Sequence, residues 1–378
     1  MKKIFFVALA ATLLAAGCQK TEILNQVKDS MIFSSEMGKL TKSATAEGEA
    51  NLQTQSFNVW ALADFDDPFK VDDGVGKVYD HLEGVLFNYV SGSDNDWTSA
   101  DNKDYYWPGT QKYLTFFATS GVDKTQVKPT VEAKGANASL TVDSFTVTDG
   151  NTDVMVADFI YQSQESKSNL EDGVSKKSVD FIFHHALTKV EFLFKTEVNE
   201  KDDDIYVQNI TVANVKTTAK LNVSQDAVNA PVLLEWDEPS DDADAKKTFT
   251  EDFANNDKTA TDFPAEDVTY ELLDGTTELD KTALKLDGNA TPFATWLMMP
   301  QTIGDIAVDV VYVMGKRQFK STFKLAAEYK VGDETKTLSR WNENQHVKYT
   351  ITLTPNKITF KPTVDGWEAP ATNVEQGN

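Results

Sequence analysis

The sequence predicts an all-β chain of many short strands, and three observations predict it. Apolar and polar residues alternate over several short runs, the period at which side chains leave a strand on opposite faces. Turn clusters separate those runs, among them Asp72-Asp73-Gly74, Ser91-Gly92-Ser93-Asp94 and Asp149-Gly150-Asn151. No stretch of helical length carries an apolar stripe at helical spacing. Short strands joined by acidic turns point to sandwiches or barrels.

In chain order, the first element is an export signal. Lys2 and Lys3 precede an uncharged run from Ile4 to Ala16, and Leu14-Ala15-Ala16-Gly17-Cys18 closes it with small residues before a thiol. The run is too short to span a bilayer, which takes about 20 residues. The leucine, small residues and cysteine match the bacterial lipobox. The expectation is a lipoprotein signal peptide over 1–17 and a lipid, palmitate included, on Cys18 at the outer membrane. Cys18 is the only cysteine, so the chain has no internal disulfide, thiolate metal cluster or cysteine nucleophile.

Strand runs follow. Phe57-Asn58-Val59-Trp60-Ala61-Leu62 and Leu140-Thr141-Val142-Asp143 alternate, and Ile306 to Val313 reads as a buried strand. His346 to Thr354 alternates most cleanly; Pro355-Asn356 turns the chain, and Ile358 and Phe360 resume the pattern. Between Val179 and Leu193 the apolar phase changes, from Val179, Phe181 and Phe183 to Val190, Phe192 and Phe194. A strand changes face only with an extra residue, so a β-bulge or kink is expected across His184-His185-Ala186-Leu187. The polar stretch Gln162 to Lys177 suggests a domain boundary at about residue 170, giving domains 56–170 and 171–378. Asp237 to Lys258 reads as a loop-rich insertion in the second.

Charge narrows the function classes. The chain carries a net −23, and loss of Lys2 and Lys3 with the signal makes it −25. Such a surface repels phosphate backbones, so nucleic acid is not an expected partner. Four histidines, His81, His184, His185 and His346, fall in no metal-ligand or nucleophile pattern. Adjacent His184 and His185 would point to opposite faces of a strand, which gives them structural roles. Asp149, Asn151 and Asp153 have the opening spacing of a calcium loop, but Val154 and Ile160 stand at its sixth and twelfth positions. Tyr105-Tyr106-Trp107-Pro108 with Phe116-Phe117 is either a sugar platform or core packing, and core packing is the simpler expectation. No enzyme, cofactor or metal is expected.

Several of these runs, in order behind the lipobox, resemble the fimbrillin family of Bacteroidales surface pili. They are Met31-Ile32-Phe33, Phe57 to Ala61, Tyr105 to Pro108 and Leu114 to Ala118, then the aromatic-histidine segment Val179 to Val190. Trp341 to Ile351 and Val364-Asp365-Gly366-Trp367 complete the series. The resemblance implies two tandem transthyretin-like β-sandwich domains after the signal peptide. It also implies a subunit that polymerises by strand exchange once a maturation protease removes its first strand, with other fimbrial subunits as partners in a homo- or hetero-polymer supporting adhesion. Mapped here, the removable strand lies between Ile23 and Phe33 and the cut loop between Ser34 and Gln55, within a lipidated segment 18–55. The donor strand is Ile358 to Trp367, with Ile358, Phe360, Val364 and Trp367 as its anchors. The sequence departs from members cut after arginine, since Arg317 and Arg340 are its only arginines; Lys39 or Lys42 would serve another protease. Shaft, tip adhesin, accessory anchor and lipid-held glycan binder remain open alternatives.

Overall fold

The computed structural model describes residues 31–37, 55–65, 77–91, 97–107, 113–132, 135–163, 178–197, 204–252, 265–271, 277–315, 317–331, 334–354 and 357–367. The architecture is an all-β sandwich, as the alternation predicts, and the described residues contain no α-helix.

The largest sheet runs Ile32–Met37, Ser178–His185, Met155–Ala157, Tyr113–Ser120, Phe57–Phe65, Lys77–Tyr89 and Trp97–Ser99, with Ile160–Ser163 also on Tyr113–Ser120. Both of its faces are covered. Phe57, Val59 and Ala61 point into one core with Phe33, Phe87, Phe116 and Phe181. Trp60, Leu62 and Phe117 point the other way, into a larger core shared with the other sheets. Burial on two faces is why Trp60 to Ala63 reads as a continuous apolar run.

One of those sheets orders Thr291–Met298, Thr188–Thr196, Gln345–Thr354 and Lys357–Gly366. Within it Gln345–Thr354 is central, parallel to Thr188–Thr196 and antiparallel to Lys357–Gly366. Its odd-numbered apolar residues Val347, Tyr349, Ile351 and Leu353 are all buried. A six-stranded sheet is built around Ile205–Lys216, and Val232–Trp236, Thr218–Gln225, Ser139–Thr146 and Val127–Thr130 form the fourth.

Three expectations are revised by the fold. The phase change after His185 is not a bulge in one strand. Ser178–His185 ends in the largest sheet, Ala186 and Leu187 cross over fully buried, and Thr188–Thr196 begins in another sheet. Two cores on opposite sides demand the switch of face, and a change of sheet satisfies it without an unpaired residue. The supposed insertion Asp237 to Lys258 contains a strand, Lys246–Asp252, antiparallel to Ile205–Lys216. It was hidden because Phe249, 6.0 Å from Trp296, is its one buried apolar residue. The amino-terminal strand runs Ile32–Met37, into the stretch expected as loop, because buried Met37 gives it a third inward anchor after Met31 and Phe33. Pro355-Asn356, residues 23–30, 38–54 and 164–177 lie outside the described residues.

Candidate strand-exchange site

Two edge strands stand out, one near each end of the described residues. Ile32–Met37 closes one edge of the largest sheet, parallel to Ser178–His185 in a register running from Ile32 opposite Ser178 to Met37 opposite Phe183. Its period-two pattern places Met31, Phe33 and Met37 inward, exposed by only 6%, 2% and 3%. The Phe33 ring stacks on Phe181 at 5.9 Å and meets Phe87 and Phe116 edge-on at 4.6 and 6.1 Å. Outward, the Ser34 hydroxyl donates to Asp180 at 2.5 Å, and Met31 N–H donates to the Tyr105 carbonyl at 2.6 Å. A strand with alternate side chains seated in an aromatic groove is the arrangement β-augmentation uses.

Lys357–Gly366 is the second edge strand, and among the described residues its one strand partner is Gln345–Thr354. Of its predicted anchors, Ile358, Val364 and Trp367 are half-buried against the larger core, and Phe360 stands opposite Ile351 in the register. Trp367 N–H donates to the Asn344 carbonyl at 3.2 Å, and Asn344 N–H to the Leu187 carbonyl at 3.1 Å. The indole of Trp367 lies flat on the imidazole of His185, with centroids 3.8 Å apart and planes 4° from parallel. Cys18, Lys39 and Lys42 lie outside the described residues.

The crossing between sheets lies between these edges. His185 Nδ1 is 2.8 Å from Asp153 Oδ2, both nearly fully buried, while His184 Nε2 on the other face is 2.8 Å from Asp158 Oδ1. Asp158 also accepts the Val232 N–H at 2.9 Å. Gly121 makes room for Asp153. At φ +75°, a Cβ there would stand 1.8 Å from the Asp153 carbonyl oxygen, so only glycine fits. Trp236 donates its indole N–H to the Ala186 carbonyl at 2.6 Å. Beyond the crossing, His346 Nε2 is 3.0 Å from Glu191 Oε2, with Lys348 at 3.8 Å. Burial raises the Glu191 pKa, but the His346 hydrogen bond and the charges of His346, Lys348 and Lys189 leave it below the ordinary value. Burial pushes the Tyr349 phenol well up, its hydroxyl accepting the Trp341 indole N–H at 2.9 Å.

The other residues weighed for chemistry are engaged locally. Asp149 accepts the Asn151 backbone N–H at 2.9 Å in a turn, and Asp153 faces His185. His81 Nε2 lies 2.9 Å from the Tyr106 carbonyl oxygen. Trp107 is buried edge-on against Phe116 at 5.6 Å, Tyr105 packs half-buried on the same core, and half-buried Tyr106 turns its hydroxyl to Asp104. Sequence reasoning missed the pairing of His185 with Trp367. Its only trace was a polar ring at an inward position of a strand and a tryptophan just beyond another.

A family model described as fimbrillin-like matches residues 44–367. No curated protein matches the chain. Among solved structures it is similar to a fimbrial protein from Bacteroides vulgatus, at 15% identity and TM-score 0.53, covering 90% of this chain and 99% of that one. A candidate cell adhesion protein from Bacteroides ovatus is similar at 13% identity and TM-score 0.44, over 91% and 99%. The tip fimbrial protein Mfa3 from Porphyromonas gingivalis, truncated at its carboxy terminus, gives 10% identity and TM-score 0.35 over 83% and 94%.

Proposed function

The chain belongs to the fimbrillin-like family of fimbrial, cell-surface subunits, and we propose from that premise that it is a non-enzymatic subunit polymerising by strand exchange. In this reading it is exported as a lipoprotein acylated at Cys18 and organised as two sandwich domains meeting near residue 170. A protease cutting near Lys39 or Lys42 frees Ile32–Met37. Lys357–Gly366 of a second subunit then leaves its own sheet and fills the vacated edge beside Ser178–His185.

One observation supports this most directly: an edge strand seated by Met31, Phe33 and Met37 in an aromatic groove, at the amino-terminal end of the described chain. Three such side chains are worth roughly 1.5–3 kcal/mol each, a gross gain on the order of 5–9 kcal/mol for whichever strand occupies the groove. Backbone pairing along the edge adds direction and register.

Trypsin-trimmed protein should grow into oligomers that survive mild SDS, while uncut protein stays monomeric. Trimmed protein that remains monomeric at every concentration, or oligomers that still form after deletion of residues 357–378, would exclude this chain's carboxy-terminal strand as the donor. Intact mass of protein recovered from cell surfaces tests the lipid on Cys18, by the presence or absence of the acylated amino terminus.

A further inference from the structure

We propose that the carboxy-terminal strand enters a second subunit in one register, with Phe360 in the seat of Phe33 and Lys361 facing Asp180. This deepens the strand-exchange reading above and rests on it.

The groove sets the requirement. The amino-terminal strand presents Met31, Phe33, Ser35 and Met37 at a spacing of two, and the Phe33 ring is held among Phe87, Phe116 and Phe181. Lys357–Gly366 carries Ile358, Phe360, Pro362 and Val364 at the same spacing. Laid in the direction of Ile32–Met37 with Phe360 on Phe33, it brings Ile358 to Met31, Pro362 to Ser35 and Val364 to Met37. Isoleucine and valine are no larger than methionine, so the two deep methionine seats are not overfilled. The position that gains bulk is Ser35, which is only half-buried.

Other alignments fill the groove badly. A shift of one residue turns Thr359 and Lys361 inward. A shift of two leaves Ile358 or Pro362 in the phenylalanine seat. Reversing the strand about Phe360 brings Asn356 to the buried seat of Met37. The backbone agrees with the first alignment. Met31 gives its N–H to the Tyr105 carbonyl, not to Ser178–His185. N–H groups two residues apart leave a strand on the same side, so the Ser35 N–H also points away from Ser178–His185. Pro362, which has no N–H, therefore takes that position without costing a ladder hydrogen bond.

The outward row then supplies a key. Ser34 stands opposite Asp180, and its hydroxyl donates to that carboxylate at 2.5 Å. Lys361 takes the place of Ser34. In its own sheet Lys361 is exposed opposite Thr350; in the groove it meets a carboxylate, and opposite charges facing each other across two strands attract. Asp180 thereby selects the register from the acceptor's side.

Cysteine pairs in the full chain, trimmed with trypsin as above, read the register directly, because the one native thiol, Cys18, leaves with the amino-terminal segment. Asp180→Cys with Lys361→Cys should give a covalent ladder in boiled, non-reducing gels. Asp180→Cys with Thr359→Cys or with Thr363→Cys should give little. Asp180, Lys361 and Thr363 are exposed and Thr359 is half-buried, so the variants are expected to fold. Asp180→Lys and Lys361→Asp should each slow assembly about five- to tenfold, and the doubly reversed chain should recover. A ladder with Thr359→Cys or Thr363→Cys and none with Lys361→Cys overturns the register. So does a doubly reversed chain as slow as either single variant. Trimmed parent that never assembles removes strand exchange and the register with it; parent that assembles without the Lys361→Cys link removes the register alone.

Discussion

Replacing Phe33 by alanine is the most informative perturbation, because it acts on the residue that seats the amino-terminal strand. The ring is 2% exposed and packed among Phe87, Phe116 and Phe181. Truncating a buried phenylalanine costs about 3–5 kcal/mol through lost transfer energy and the cavity left behind. The groove gains roughly 5–9 kcal/mol gross from the three inward side chains, so Phe33 accounts for about half of what holds the strand. The lower end, about 3 kcal/mol, is expected, since an edge strand can detach and so relax part of the cavity. Urea denaturation gives that number, and hydrogen exchange locates it at Ser178–Phe183. Ile32, half-buried on the opposite face, is the control, and Ile32→Ala should cost under about 1 kcal/mol. If Ile32→Ala costs as much as Phe33→Ala, the assignment of inward and outward faces is wrong and the groove argument falls with it.

Two further outcomes follow from the second half of the chain. The folded pKa of Glu191 lies below its ordinary value of 4.5, so its contribution is fully present above that pH and is lost as pH falls through the folded pKa. Glu191→Gln should therefore flatten the fall of the urea midpoint between about pH 5 and pH 3, and parallel curves for parent and variant would refute the pairing with His346. Tyr349→Phe leaves the buried Trp341 indole N–H without its acceptor and should cost about 1–3 kcal/mol; thermal unfolding measures it, and a Trp341→Phe, Tyr349→Phe double variant that is no less stable than Trp341→Phe alone isolates the hydrogen bond.

Much of the fold was legible along the chain. Gln345–Thr354 announces itself because one of its faces is buried throughout, so apolar and polar residues alternate without interruption. Phe57–Phe65 is equally visible, although burial on both faces blurs its period. Lys246–Asp252 was not legible, since a strand with one buried side chain has no period to read. The adjacent histidines were placed correctly on opposite faces by strand geometry alone, His184 toward Asp158 and His185 toward Asp153.

By itself the sequence determined the all-β class, the strands with a covered face, and the acidic surface, for these depend on neighbours along the chain. Only the tertiary structure decided that Ile32–Met37 lies parallel to Ser178–His185, across more than a hundred intervening residues. It alone turned the phase change into a crossing between sheets, and brought His185 beneath Trp367. Alternation states which face of a strand is buried and is silent about which strand comes to bury it. That choice is made by shape and by the sum of many distant contacts, none of which has a local signature.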